Sequence, residues 1–316
     1  GLGGDSEVHF VSEGLKGGVT LGPRRLLPIA LIALDAPKVV HASLDEQLRA
    51  SAPGEYDGRF LRAVSGVPRE GLEAREETLL ERIGDRVQPM TKVLRNRIEL
   101  KALRRLVERG IVQIAGVTPS DASHVLGSLS SWEREAAEKA IILFGRRRNG
   151  SGNMLAPNPM DMAKIIVDQL TDQTVLALLE TAFSEESASF NLPAEQLARH
   201  VLTQRGLDGH KGLLRLDIGL NRPVIGLGAS ASTYYPAVGE RLGCQMDLPT
   251  HAGVANAIGA VVGRVTIRRS GEVSAPAEGR YRVHLESGPQ DFMNSQEALD
   301  KLEKHLSGTT TGGVLQ

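Results

Sequence analysis

The stretch RPVIGLGASASTYYPAVGERLGCQMDLPTHAGVANAIGAVVG, Arg222 to Gly263, decides the fold class. It reads as strand, glycine turn, helix, short strand and helix, with small residues at the turns. Val224–Ile225 form the first strand. Gly226, Gly228 and Ala229 leave backbone open to a ligand, and Ser230 or Ser232 caps the helix that follows. The positive end of that helix would face a phosphate or ribose. The spacing is not G-x-G-x-x-G, because Ala231 stands where the third glycine belongs, and no acidic residue follows at the ribose-binding distance. The plainer alternative is a structural strand–turn–helix whose small residues serve packing.

A second glycine turn, GLGGDS, occupies the first six residues. Gly3 and Gly4 make the bend. Asp5 and Ser6 are placed to hold a metal-bound water or a phosphate oxygen, or else Asp5 merely caps the turn. The chain thus opens inside what reads as a ligand-binding motif, as a part of a larger machine would. TPSDA, at Thr118 to Ala122, is a helix start with Thr118 as N-cap, Pro119 at the first helical position and Asp121 at the third. Either Asp121 points into a cleft toward a metal or substrate, or it only caps.

Between these landmarks, residues 1–40 read as strand-rich: EVHFV is a strand, SEGLKGG a turn, VTLGPRR an extended lead into the apolar LLPIALIAL. Residues 41–205 read as a mainly helical insertion, opening with a surface connection over 41–75. Helical spacing runs through ETLLERI, through Leu94 to Val107 with Gly110 as stop, through SWEREAAEKAIILFG, and through MAKIIVDQL with TVLALLETAF as a separate partner helix. IVQIAGV is a short strand and RRRNGSGN an exposed loop. Residues 206–270 form the βαβ core, with GLLRLDIGL, PVIGLG and VGRVTIRR as strands. Residues 271–316 hold a strand, YRVHLES, a helix, SQEALDKLEKHL, and a tail of disordered composition.

Composition narrows the function. A net charge of −1 argues against nucleic acid or an anionic membrane as chief partner. The single Cys244, expected in a buried strand, excludes an internal disulfide and a cysteine metal cluster; a cytoplasmic home follows by default. No apolar run is long enough for a membrane span. The histidines lack H-x-H or H-E-x-x-H spacing, so no metal is assigned from sequence, and neither a Walker loop nor a G-x-S-x-G elbow occurs. Arg95, Arg97, Lys101, Arg104, Arg105 and Arg109 crowd one helical region before a strand and a helix. A winged-helix or partner-docking module is the alternative that this order keeps open, although interspersed glutamates favour a solvated face.

Together these segments resemble the hydantoinase/oxoprolinase family, A subunit. The Arg222–Gly263 run is similar to that family's C-terminal core. GLGGDS followed by LGPRR resembles its second glycine-rich segment and the Gly-Pro-Arg after it. TPSDASHVLG resembles Thr-x-Thr-Asp-Ala-x-x-x-Leu-Gly, with Ser120 replacing the second threonine. The resemblance implies an α/β fold, the C-terminal half of an actin-like, RNase H-like ATPase lobe, with the helical stretch as an insertion. It implies ATP and Mg as cofactors, with cyclic amides of the hydantoin or 5-oxoproline type as substrates, or ketones in the carboxylase branch. A B-type subunit or a second copy would be the partner. Gly226, Gly228, Ala229 and Ser230 would lie at the adenosine side; Gly3, Gly4, Asp5 and Ser6 nearer the phosphates; Asp5 and Asp121 would be the catalytic carboxylates. Two departures stand out. The family's opening Asp-x-Gly-Gly-Thr loop is absent, so the chain by itself is expected not to turn over ATP. Where relatives read Gly-Gly-Ala-Gly-Pro and a following His, this chain has GLGAS followed by Tyr234 and Tyr235.

Overall fold

A computed structural model describes residues 2–12, 17–186, 190–263, 271–285 and 288–308. The chain divides into two compact units, Gly1–Asn256 and Ala257–Gln316. The architecture is mixed α/β, with several small sheets.

In the first unit, β1 (Ser6–Val11) and β2 (Gly18–Arg25) form an antiparallel hairpin. The SEGLKGG turn between them falls largely outside the described residues. After β3 (Leu27–Pro28), the apolar run expected to belong to a strand-rich start is instead helical: α1 (Ile29–Asp35) is followed directly by α2 (Pro37–Arg49). The cause lies far along the chain. The Ala30 N–H, one of the orphan donors at a helix start, donates to the Asp121 carboxylate at 2.8 Å. No local sequence signal announces that cap.

The region expected as a surface connection contributes α2 and then β4 (Phe60–Ala63). Next come α3 (Ala74–Ile83), β5 (Gln88–Pro89), α4 (Met90–Val93), α5 (Glu99–Glu108) and β6 (Val112–Gly116). Glu73 and Glu76 form a reciprocal capping box on α3. Gly110, with φ of 70°, ends α5 as its position predicts. The strands assemble as β3-β6-β4-β5, with β3–β6 parallel and the other pairs antiparallel. Side chains alternate across this sheet, so it is covered on both faces. Phe60 and Ala115 enter a core shared with α1 and α2. Leu61 and Val112 enter a second core with Leu79, Ile83, Leu103 and Leu106 of α3 and α5.

Then follow α6 (Pro119–Leu126), α7 (Arg134–Gly145) and α8 (Pro159–Glu185). The separate partner helix expected over TVLALLETAF is a correction: that stretch continues α8, because no glycine or proline interrupts residues 160–185. Ala140, Ile141 and Phe144 of α7 and Met162 and Ile166 of α8 fill the first core. AEQLARHVL breaks at His200 into α9 (Ala194–Arg199) and α10 (Val201–Leu207). GLLRLDIGL forms no strand. Leu213 and Leu214 are exposed, and a lone bridge between Lys211 and Arg215 is its β-structure among the described residues. With no adjacent strand, its apolar pattern has nothing to pair against.

The βαβ unit read from the glycine-rich run is present. β7 (Val224–Ile225) and β8 (Met246–Asp247) pair in parallel through the crossover helix α11 (Ala231–Leu242). Cys244 lies just before β8, half-buried and free. Val238 and Leu242 join Val175 and Leu179 of α8 in a third core. A helix, α12 (Ala255–Val262), follows, and VGRVTIRR falls almost entirely outside the described residues.

The second unit is a three-stranded antiparallel meander, β9 (Val273–Ala277), β10 (Arg280–Leu285) and β11 (Gly288–Phe292). The amphipathic α13 (Ser295–Gly308) packs over Val283 through Ala298 and Leu302. The expected strand and helix are β10 and α13; the flanking strands were not anticipated. Arg280 and Arg282 both clamp Asp291, which holds its carboxyl well below the usual range. The expected tail beyond residue 308 lies outside the described residues.

Candidate functional site

The three segments that carry the sequence reading meet around Gly4. The Gly3–Ser6 turn is closed by its own backbone: Ser6 N–H donates to the Gly3 carbonyl at 3.1 Å, and Gly3 N–H donates to the Ser6 hydroxyl at 2.9 Å. Ser6 is fully buried and spent on this turn. Gly4 rests against the start of α6, where the Ser120 N–H donates to the Gly4 carbonyl at 2.8 Å. A Cβ on Gly4 would lie 2.6 Å from the Ser120 hydroxyl and 3.5 Å from the Tyr234 ring, so any side chain there would force Ser120 to move. Tyr234, in the first turn of α11, completes the junction by accepting a hydrogen bond from the Ser123 hydroxyl at 2.9 Å. It is buried, and desolvation raises its phenol pKa.

Asp5 points the other way. Its Oδ1 takes the Arg25 guanidinium at 2.6 Å, its side chain is 40% exposed, and its carbonyl accepts from Leu26 N–H. Asp5 is therefore the accessible carboxylate of the two expected catalytic residues, held in a salt bridge that an incoming cation would have to share.

Asp121 occupies a different position from the cleft-facing one that was one of its two sequence readings. Its side chain is completely buried. One oxygen accepts from Ala30 N–H, and the other accepts from the Thr118 N–H at 2.9 Å and the Thr118 hydroxyl at 2.8 Å. The capping alternative describes it, with an addition: Asp121 caps α6 and, through Ala30, the start of α1. Burial pushes its pKa up to about 6, against these hydrogen bonds, which favour the charged form. One turn on, His124 is fully buried. Its Nε2 accepts from the Trp132 N–H at 3.1 Å, so the proton sits on Nδ1 and is donated to the Ser120 carbonyl at 2.7 Å. The Trp132 ring stacks on the imidazole at 5.2 Å.

The second glycine turn is open where the first is packed shut. Gly226 is the exception: a Cβ there would lie 2.5 Å from the Tyr235 ring and 2.6 Å from Leu248, so this glycine admits protein side chains and not a ligand. Gly228 has φ of 122°, a conformation that favours glycine, with open space beyond it. Ala229 is exposed and Ser230 half-buried. No side chain caps α11. The N–H groups of Ala229, Ser230 and Ser232 find no acceptor among the described residues. Three free donors at a helix start, beside a glycine in a left-handed turn, suit an anion or a ribose hydroxyl.

For a metal, the described residues offer no group of three or more His, Cys, Asp or Glu side chains that could enclose an ion. Mg²⁺ is usually held by one or two carboxylates together with a substrate's phosphates; of the two expected carboxylates Asp5 is the exposed one, and it is paired with Arg25. Of the basic side chains near α5, Arg97, Arg105 and Arg109 are engaged inside the protein, by Glu55, by Glu73 and by the Glu70 carbonyl.

Sequence reasoning missed Tyr234, Ser120 and Ser123 as the contacts that join the segments, and His124 as the group that ties Trp132 to α6. Tyr234 and Tyr235 carried a signal, as departures from the pattern of the family that the segments resemble, but only the fold gives them partners. Among the described residues, no helix is long and apolar enough to cross a membrane. Compared with known proteins, the chain matches no family model, no curated protein and no solved structure.

Proposed function

We propose that this chain forms the adenosine-side lobe of an actin-like, ATP-dependent hydrolase of the hydantoinase/oxoprolinase type, acting on cyclic amides such as hydantoins or 5-oxoproline. One observation carries the reading. The three sequence segments that resemble that family pack on one another through Gly4, Ser120, Ser123 and Tyr234, contacts between residues more than a hundred positions apart in the chain. The α11 start, with its uncapped N–H groups, is the candidate contact for nucleotide, and Asp5 is the candidate carboxylate for its Mg²⁺. Bound ATP would supply the phosphoryl group that converts an amide carbonyl oxygen into a leaving group. The chain's own residues position: Gly228 shapes the turn, Tyr234 ties the helix start to the Gly3–Ser6 bend, and Asp121 holds α1 and α6 in register beneath it.

Amide hydrogen exchange with and without MgATP tests this. The expected outcome is slowed exchange at residues 227–232, weaker for ADP without Mg²⁺. Unchanged exchange there at saturating MgATP would remove the nucleotide assignment. Homo-oligomers and a B-type partner subunit belong to the same proposal, read out as a shift in mass by light scattering on mixing.

A further inference from the structure

A cavity of about 560 Å³ opens at the other end of β1 from the Gly3–Ser6 turn, a volume typical of small-molecule sites. Phe10 and Met154 give it apolar walls, and Arg146, Arg147 and Arg148 line it in sequence. Two of these guanidinium groups are partly committed. Arg146 donates to the Leu48 carbonyl at 2.7 Å and Arg148 to the Gly152 carbonyl at 2.6 Å. Arg147 differs. Its guanidinium lies over the Phe144 ring, 4.3 Å from the centroid, and no carboxylate or carbonyl partners it among the described residues.

Arg147 is half-buried, and stacking on Phe144 does not replace the hydrogen bonds that its guanidinium would make in water. Burial, together with the like charge of Arg59, depresses its pKa to about 10, with the charge of Asp57 acting in the opposite direction. Neither acid nearby bonds to it directly. Glu55, on the cavity wall, pairs with Arg97 at 2.9 Å, and Asp57 turns an oxygen to the Gly54 N–H at 2.7 Å. The lining thus carries three guanidinium groups against the one carboxylate of Glu55, beside the apolar Phe10 and Met154.

We propose that this cavity binds a small organic phosphate, its phosphoryl oxygens forked by Arg147 and backed by Arg148, its apolar body laid against Phe10 and Met154. A dianion suits the excess of guanidinium better than a single negative charge, and the planar fork of arginine matches two phosphate oxygens at once. The site is distinct from the α11 turn and does not depend on the nucleotide reading.

The experiment is calorimetric titration of the whole chain with phenyl phosphate, inorganic phosphate and phenol. Phenyl phosphate is expected to bind more tightly than either of the others. Arg147→Gln is expected to weaken it about tenfold or more, the scale of a lost charge-assisted fork. Phe10→Ala should weaken phenyl phosphate and leave inorganic phosphate unchanged. Failure of phenyl phosphate to bind, equal binding by Arg147→Gln, or indifference to Phe10→Ala would each overturn the proposal. Should Arg147→Gln not fold, Arg148→Gln and hydrogen exchange at residues 149–154 of the unaltered chain replace it, and absence of protection there by phenyl phosphate counts against the site. The MgATP effect at residues 227–232 should be the same in Arg147→Gln, which separates the two ligands.

Discussion

Gly3 and Gly4 are neighbours of one residue type with different work to do. The Gly3 position meets the Asp5 carboxylate at 3.4 Å and the Arg25 guanidinium at 3.8 Å, ordinary contacts; the Gly4 position meets Ser120 at 2.6 Å with Tyr234 behind it. Gly4→Ala is therefore expected to cost about 1–3 kcal/mol of overpacking, while Gly3→Ala stays within about 0.5 kcal/mol. Urea midpoints of the two variants check this, and equal midpoints would mean that the junction yields. Asp121 makes a pH prediction. Its pKa rises from 3.8 to about 6 on folding. The native state thus keeps a proton that the unfolded chain releases earlier. The contribution is fully present below pH 3.8 and is lost as pH rises through about 6, on the order of 3 kcal/mol in total. Asp121→Asn, which cannot ionise, should lack this component. Its stability relative to the unaltered chain should improve between pH 4 and pH 7, and a constant difference would contradict the assignment.

At the scale of elements, one side chain takes the place of a strand. The Gln173 amide of α8 accepts from Leu21 N–H at 2.7 Å and donates to the Leu21 carbonyl at 3.2 Å, pairing β2 as a neighbouring strand would. Leu21 is buried, so its backbone has no water to fall back on. Gln173→Ala should cost about 2–4 kcal/mol by leaving both groups unpaired, and Gln173→Leu, which fills the space without the amide, should not recover it. Denaturant unfolding reads the loss, and hydrogen exchange at Leu21 should rise in both variants. The helices themselves were largely legible. Thr118 with Pro119 and Asp121, Asn158 with Pro159, and Gly110 each mark an end that depends on nearby residues alone. Helix α1 was not legible, because the group that accepts from Ala30 N–H is 91 residues away.

Across the first unit, the four-stranded sheet divides two cores, and adjacent residues report on different sides. Phe60 faces the core against which the single Trp132 packs, whereas Leu61 faces Leu79, Ile83 and Leu106. Phe60→Ala and Leu61→Ala should each cost about 2–5 kcal/mol. Only Phe60→Ala should alter the native emission of Trp132; a matching shift in Leu61→Ala would mean that the sheet does not insulate its faces. The glycine-rich βαβ unit was legible at this scale because a strand, a turn and a helix in sequence allow a parallel return. The β3-β6-β4-β5 sheet was not, because its strands are two to five residues long and come from distant parts of the chain.

The sequence by itself determined the punctuation of this protein: its helix starts and stops, its glycine bends, and the βαβ unit from Val224 to Asp247. Those depend on local backbone sterics and on hydrogen bonds to near neighbours. Only the tertiary structure decided what each polar residue is used for. Packing buried Asp121 as a double cap and filled the space at Gly226 with Tyr235 and Leu248. It also made Tyr234 the joint between three segments and left the Arg147 guanidinium with no hydrogen-bonded partner among the described residues. Burial and pairing are properties of neighbours brought from far along the chain, and spacing along one sequence does not encode them.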